Sequence, residues 1–537
     1  MRRITLAATL AATVALGASQ TAHAFCGFYV GGGDQKMFND ATQVVLMRMG
    51  TRTVLSMQNN YKGPPEAFAM VVPVPTVLQE ADVKTLNREV FEHVEQMGAP
   101  RLVEYWEQDP CGSDEYDRRR YAPAKGAAAP TTTLADEKAK DYGVTIEAKF
   151  VVGEYQIVIL SAKDSTGLDS WLRAEKYKIP DGAEPLLRPY VESGMKFFVA
   201  KVDPAKVKWV GDGNDKHAEL SPLRFHYDSD EFALPIRLGM ANSSGTQDLI
   251  VNILAPQRRY EVTNYKNVMI PTNIDVSPQM RDQFAAFYTA LFDKTVEKNP
   301  GAVVTEYAWQ ATTCDPCPGP ALSYPEFQTL GADVLDGTRD KPVAYNRGDF
   351  VLTRLHARYG KTLTDDLRFR EAEAIAGGRE HMTSNGKLEE GWEKASINNF
   401  QGRYAIRHPW TGPLTCKDPK RGRWGGPPAE ITAKPDFVPS GVKPAVDLAY
   451  APRGTVELPK VVKRDIPELG IRAAAGAAVA TPNVGTTPST PASTPGKTED
   501  KKTGCGCETG GEPGTLALVG LAAAAFAWRR RQGGHQG

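Results

Sequence analysis

The residues best suited to chemistry are Cys314-Asp315-Pro316-Cys317. Two cysteines at this spacing form a redox dithiol, half of a metal site, or a plain local disulfide. A redox pair sits where a helix begins, because the helix dipole lowers the pKa of the first thiol. Here Pro318, Gly319 and Pro320 follow at once and work against a helix at that point, and Trp309 upstream does not decide the matter. A zinc site wants a second pair, which the remaining body cysteines, Cys26, Cys111 and Cys416, do not form. A structural disulfide in a loop is therefore preferred for Cys314 and Cys317, with thiol–disulfide exchange as the rival. Five body cysteines leave at least one without an intrachain partner, and Cys26–Cys111 is the second bridge expected.

Other motifs are incomplete. His93 stands four residues after Glu89, a spacing that suits a solvated pair on a helix. His356 would share a strand face with Arg354 and Arg358, and so polar a face is expected at the surface. Gly360-Lys361-Thr362 lacks the upstream glycine of a phosphate loop, since Leu355 stands there. The acidic stretches 211–215 and 228–230 lack the distal glutamate of a calcium loop and read as turns. No metal or cofactor is expected, and no residue is nominated as catalytic. Nucleic acid is not expected as a partner: 64 basic residues balance 64 acidic ones, and Arg118-Arg119-Arg120 follow directly on Asp114, Glu115 and Asp117.

These residues need a scaffold, and 41% hydrophobic with 24% charged residues is the composition of a folded protein. The apolar runs Val44–Met49 and Thr53–Met57 flank Gly50-Thr51 as a hairpin, and a second hairpin turns at Gly153-Glu154. Further strands are expected at Ala67–Val74, Lys196–Val202, Phe232–Leu238, Asp248–Leu254, Ala302–Gln310 and Phe350–Tyr359. A helix fits Thr85–Met97, where Leu86, Val90, Val94 and Met97 share a face, and short ones fit Leu168–Tyr177 and Pro185–Ser193. The longest should run from Pro278 to Glu297 with Ser277 as its N-cap, and Asp365–Gly377 reads as a charged helix. Strands outnumber helices, which predicts an α+β fold with substantial antiparallel sheet built from hairpins and several packed helices.

Both ends read as removable. Met1-Arg2-Arg3, the apolar run Ile4–Gly17 and Ala22-His23-Ala24 describe a signal peptide over residues 1–24, cut after Ala24 by signal peptidase. The exported globular region is then 25–472, with a loop or boundary at 122–136. Residues 473–504 are rich in Ala, Thr, Pro and Ser and cannot bury enough apolar surface to fold. In 505–537 come Cys505 and Cys507, an apolar stretch at 515–528, and Arg529-Arg530-Arg531. Fourteen residues at 1.5 Å each reach roughly 21 Å, short of a ~30 Å hydrocarbon core, so the stretch is a weak, transient span. Removing both ends takes five arginines and only two glutamates, which leaves the body mildly acidic.

The tail resembles the myxobacterial C-terminal sorting signal, with Cys505 and Cys507 as its cysteine part, 516–528 as its hydrophobic helix and Arg529, Arg530 and Arg531 as its basic end. The resemblance implies processing by a sorting peptidase and attachment at the outer membrane, with the globular part outside the cytoplasm. The body resembles a bacterial exported family, domain-of-unknown-function family 2330. The phrases that carry this are Asn60–Gly63 with Phe68–Pro75, Gly167–Leu172 through Tyr177–Pro180, Tyr190–Met195 with Phe197–Lys201, and Leu220–Arg224 with Leu234–Arg237. Met70 stands where the commonest pattern of the family has tryptophan. The resemblance implies export and a shared fold, and supplies no catalytic residue. The expected function is an interaction or structural role at the envelope, with an exported oxidoreductase as the alternative.

Overall fold

A computed structural model describes residues 28–30, 38–62, 69–112, 142–175, 177, 179, 182–210, 217–242, 246–335, 350–383, 387–427, 443–444 and 453–474. The chain divides into two units, 1–482 and 483–537, and every described residue belongs to the first.

In chain order, β1 (Phe28–Val30), β2 (Phe38–Met49), β3 (Arg52–Lys62), β4 (Ala69–Val74) and β5 (Val83–Thr85) lead to α1 (Glu89–Gly98) and β6 (Arg101–Glu107). Next come β7 (Val144–Val152), β8 (Tyr155–Ala162), α2 (Ser165–Ala174), α3 (Glu184–Glu192) and β9 (Lys196–Val202). Then β10 (Leu223–Asp228), β11 (Ala233–Leu234), β12 (Gln247–Pro256) and β13 (Arg259–Val262) precede α4 (Phe284–Lys298) and β14 (Val303–Gln310). The last strands are β15 (Phe350–Tyr359), β16 (Leu367–Ala372), β17 (Ile375–Gly377), β18 (Trp392–Lys394), β19 (Asn399–Gln401), β20 (Arg403–His408) and β21 (Trp424–Gly425).

β2 and β3 form the expected hairpin about Gly50, whose φ of 58° suits a residue without Cβ. They sit within an eleven-stranded sheet ordered β18-β17-β19-β14-β15-β12-β2-β3-β10-β5, with strand Asn267–Met269 beside β14. Most pairs are antiparallel, and β12 runs parallel to β2. Both faces of this sheet are covered, which explains why Val44-Val45-Leu46-Met47 is apolar throughout instead of alternating. Val44 and Leu46 pack with a smaller antiparallel sheet, β1-β4-β9-β8-β7, through Val72, Ile157 and Phe198. Val45 and Met47 pack with α1 through Phe91 and Val94. Helices α2 and α3 cover the outer face of the small sheet with Leu168, Trp171, Leu187 and Tyr190. On the far side of the large sheet, α4 and the segment 458–471 close a further apolar cluster with Phe287, Leu291, Val461 and Ile466. The layers are thus helices, small sheet, large sheet, helices: an α+β fold with mostly antiparallel strands.

Several local expectations are corrected. Asp365–Gly377 is not a helix but β16 and β17, with Leu367 and Phe369 buried between exposed Arg368 and Arg370. Pairing on both sides, with β11 and β13, overrides the helix preference of its Glu and Ala residues. The helix expected from Thr85 starts only at Glu89, because Val83–Thr85 pairs with β10. Pro278–Arg281 is a 3-10 turn ahead of α4, and the Ser277 hydroxyl caps nothing. The bridge expected between Cys26 and Cys111 is replaced by Cys111–Cys416, with Cα atoms 5.5 Å apart. The cause is topological: β6 and β20 are parallel, with Trp106 in register with His408, so their continuations leave the sheet together. The loop proposed at 122–136 lies outside the described residues.

Candidate functional site

A cleft of about 380 Å³ opens where the small sheet meets the pair β11–β16. Two of its walls are extended segments that each present one face, as a period of two requires. Alternate residues from Ser229 to Arg237, namely Ser229, Glu231, Ala233, Pro235 and Arg237, line one side. Asp366 and Arg368 line the next, placed by the register that sets Ala233 against Arg368. Pro73 and Pro75 at the end of β4, Tyr190 and Met195 around the end of α3, and Tyr227 of β10 complete it.

Asp366 organises one end. Its Oδ1 accepts hydrogen bonds from the Tyr190 hydroxyl (2.6 Å), the Ile236 N–H (2.8 Å) and the Arg237 N–H (3.2 Å). The Arg237 side chain pairs with Asp365, stands 4.0 Å from Asp366 and lies over the Tyr190 ring. Burial, and then the Asp366 charge, push the Tyr190 hydroxyl well above the usual phenol range, so it remains a donor. At the other end, Arg368 meets Glu231 at 2.8 Å, and both are more than half exposed. Arg48 anchors the wall by donating to the carbonyls of Ser229 (2.9 Å) and Asp230 (3.3 Å) and to the Thr53 hydroxyl (2.7 Å). Tyr227 is buried, which raises its pKa, and its hydroxyl has no hydrogen-bond partner among the described residues. The lining contains no cysteine or histidine, and the Ser193 hydroxyl donates to a carbonyl, that of Tyr190. These groups can hold a ligand; none is arranged to attack one.

The residues nominated from sequence lie elsewhere. Cys314 and Cys317 are joined in a disulfide. Their loop does not open a helix, since the next one begins at Tyr324. The loop is clamped from below by its carbonyls: Gln401 donates to Asp315 O (2.5 Å) and the buried Arg101 to Pro316 O (2.9 Å). Cys26, Ala24, Cys505, Cys507, Arg529, Arg530 and Arg531 all lie outside the described residues. Asp228, within a stretch read as a turn, pairs with Arg52 (2.8 Å). Among the described residues, no three His, Cys, Asp or Glu residues stand together to hold a metal. His93 reaches across to Glu326 (2.5 Å) and to Pro320 O (2.6 Å) instead of along its own helix to Glu89. Both partners are acceptors, so the imidazolium is the form that satisfies both, and the bond to Glu326 raises its pKa.

The strand face of Arg354 and His356, expected at the surface, is buried. Arg354 donates through Nε to Glu306 (2.7 Å) and through both Nη atoms to Glu95 of α1 (2.5 and 2.9 Å). His356 Nδ1 lies 2.6 Å from Glu306, and its ring stacks 3.5 Å from that of Phe292 of α4. The Tyr288 hydroxyl donates to the same carboxylate. Burial alone would raise the Glu306 pKa, but His356 and the Arg354 guanidinium outweigh it and hold the group at about 2. Two helices cover this polar face because each charge on it finds a partner, a circumstance invisible in any one segment. No member is more than 2% exposed apart from Glu95, so the network fastens helices to sheet and is closed to substrate.

The cleft itself was not nominated from sequence, although the signal was present in three of the phrases quoted above. Phe68–Pro75 supplies Pro73 and Pro75, Tyr190–Met195 supplies Tyr190, Ser193 and Met195, and Leu234–Arg237 supplies Pro235 and Arg237. In comparison with known proteins, the model of an uncharacterized protein family conserved in bacteria (DUF2330) matches residues 20–370. The model of the PEP-CTERM protein-sorting motif matches residues 512–531. No curated protein and no solved structure matches the chain.

Proposed function

The chain belongs to an uncharacterized protein family conserved in bacteria (DUF2330) and carries a C-terminal sorting motif, and from that premise we propose that it is an exported binding protein of the cell envelope whose ligand occupies the cleft at Tyr190, Arg237 and Asp366. One observation carries the reading: three of the phrases by which the chain resembles its family converge on this one open cleft. Pro73, Tyr190 and Pro235 of these phrases are buried in the cleft wall, whereas Pro75, Ser193, Met195 and Arg237 keep exposed surface, next to exposed Arg368 and Glu231. The lining has acids, arginines and hydroxyls but no nucleophile–base pair, which favours binding over catalysis. The clamped loop of Cys314–Cys317 supports a structural bridge over thiol exchange. For the tail, the proposal is processing by a sorting peptidase, with Cys505 or Cys507 modified so as to hold the protein at the outer membrane.

Hydrogen exchange on the whole chain, with and without solubilised envelope material, tests the binding role. Protection is expected at 229–237 and 366–368. An unchanged exchange pattern in the cleft would overturn it.

A further inference from the structure

We infer that the cleft takes a neutral oligosaccharide, an inference that rests on the binding role proposed above and names the class of its ligand. The first ground is charge. Within the lining two arginines, Arg237 and Arg368, are balanced in number by two acids, Asp366 and Glu231, and Arg237 is further neutralised by Asp365 beside it, so the cleft has no excess of positive charge for a polyanion and no cluster of acids for a polycation. The second ground is what the walls lack. Pro73, Pro75, Pro189 and Pro235 carry carbonyl oxygens but no N–H. An extended peptide is gripped chiefly by main-chain donors and acceptors in alternation, and at these positions the donors are missing.

The third ground is what the walls keep. Asp366 Oδ1 is saturated by three donors, whereas Oδ2 accepts no hydrogen bond from the described residues and has only the Arg237 Nε at 4.0 Å. The hydroxyls of Tyr227 and Ser229 have no partners among the described residues, and each can donate and accept at once. Vicinal sugar hydroxyls are met by this mixture, and the one cleft is lined by all of it: a carboxylate oxygen, a guanidinium and neutral hydroxyls, beside apolar patches for the C–H faces of the ring. Pro73, Pro75, Ala233 and Met195 supply those patches, and the proline rings hold them rigid before binding. A volume of about 380 Å³ lies at the small end of the ~300–1,000 Å³ typical of small-molecule clefts, which suits a short oligosaccharide segment and not a bulky lipid.

The test is calorimetric titration of the whole chain, purified in detergent, with three kinds of probe. These are neutral tetrasaccharides of glucose, galactose and N-acetylglucosamine; a tetrasaccharide of uronic acid; and a proline-rich decapeptide. A neutral tetrasaccharide should bind. Tyr227→Phe, which keeps the ring and removes the hydroxyl, should weaken it roughly 2- to 10-fold, the range of one lost hydrogen bond. Ala233→Trp should abolish it by filling the cleft, with thermal unfolding confirming that this variant is folded. Tyr227→Phe alone decides should Ala233→Trp not fold. Binding of a neutral sugar that both variants leave unchanged would place the site elsewhere and overturn the inference. Binding of only the uronic acid or the peptide, abolished by Ala233→Trp, would overturn the neutral-sugar class and leave the cleft's binding role standing. No binding of any probe overturns the inference, and the hydrogen-exchange experiment then decides the binding role separately.

Discussion

At the scale of single residues, the buried carboxylates make the clearest demand on solution behaviour. Glu306 is held at about 2 by His356 and Arg354 against the effect of burial, and Glu104 at about 2 by His408 and Arg281, again against burial. Both folded values lie below the 4.5 of a free glutamate. Their contribution to stability is therefore complete above pH 4.5 and is lost as the pH falls from there toward 2. The urea midpoint should drop steeply across that window, and Glu306→Gln should make the drop shallower. At pH 7 the same substitution should cost about 3–5 kcal/mol, because Arg354 keeps its burial and loses one of two partners. A midpoint flat with pH below 4.5 would contradict the network. Legibility was poorest at this scale. His356 and Arg354 looked like surface residues because a single strand shows its own polarity and not the Glu95 and Glu306 that neutralise it from elements distant in sequence. Cys111 was expected with Cys26 for a similar reason: only the parallel register of β6 and β20 brings Cys416 to it.

At the scale of elements, the two disulfides do different work. Cys111–Cys416 spans 305 residues and ties the end of β6 to the loop between β20 and β21, whereas Cys314–Cys317 closes a turn three residues apart. Chain entropy makes the long link the stabilising one, worth about 2–5 kcal/mol, while a short closed loop restrains the unfolded chain little. Cys416→Ser should therefore lower the thermal midpoint by several degrees more than Cys317→Ser, as calorimetry would read. Equal effects would refute the topological account. Elements whose pattern was internal were legible in advance: the hairpin at Gly50, strand Lys196–Val202 and the Val90, Val94, Met97 face of α1 all depend on spacing within one segment. Asp365–Gly377 was not, since its sheet partners β11 and β13 are what hold it extended.

At the scale of the whole molecule, destination and fold come from different parts of the chain. The sorting motif matches from Glu512-Pro513 onward, two residues passed over by a reading centred on Cys505 and Cys507. Intact mass spectrometry on protein from native envelopes should show loss of residues 1–24, a cut within the tail and an added mass on Cys505 or Cys507. An uncut, unmodified tail would remove the proposed outer-membrane attachment. The family match ends at residue 370, yet β17 to β21 complete both the large sheet and the sheet around β6, so these strands, between residues 375 and 425, are part of the same fold. Export, the α+β class and the family were determined by the sequence itself, because they are written in contiguous patterns: charge then apolar run, alternation, and short phrases in order. The cleft, the Glu306 network and the Cys111–Cys416 bridge were decided only by tertiary structure. Each joins residues more than a hundred positions apart in sequence, and only the packed sheets set the distances at which their charges and hydroxyls act.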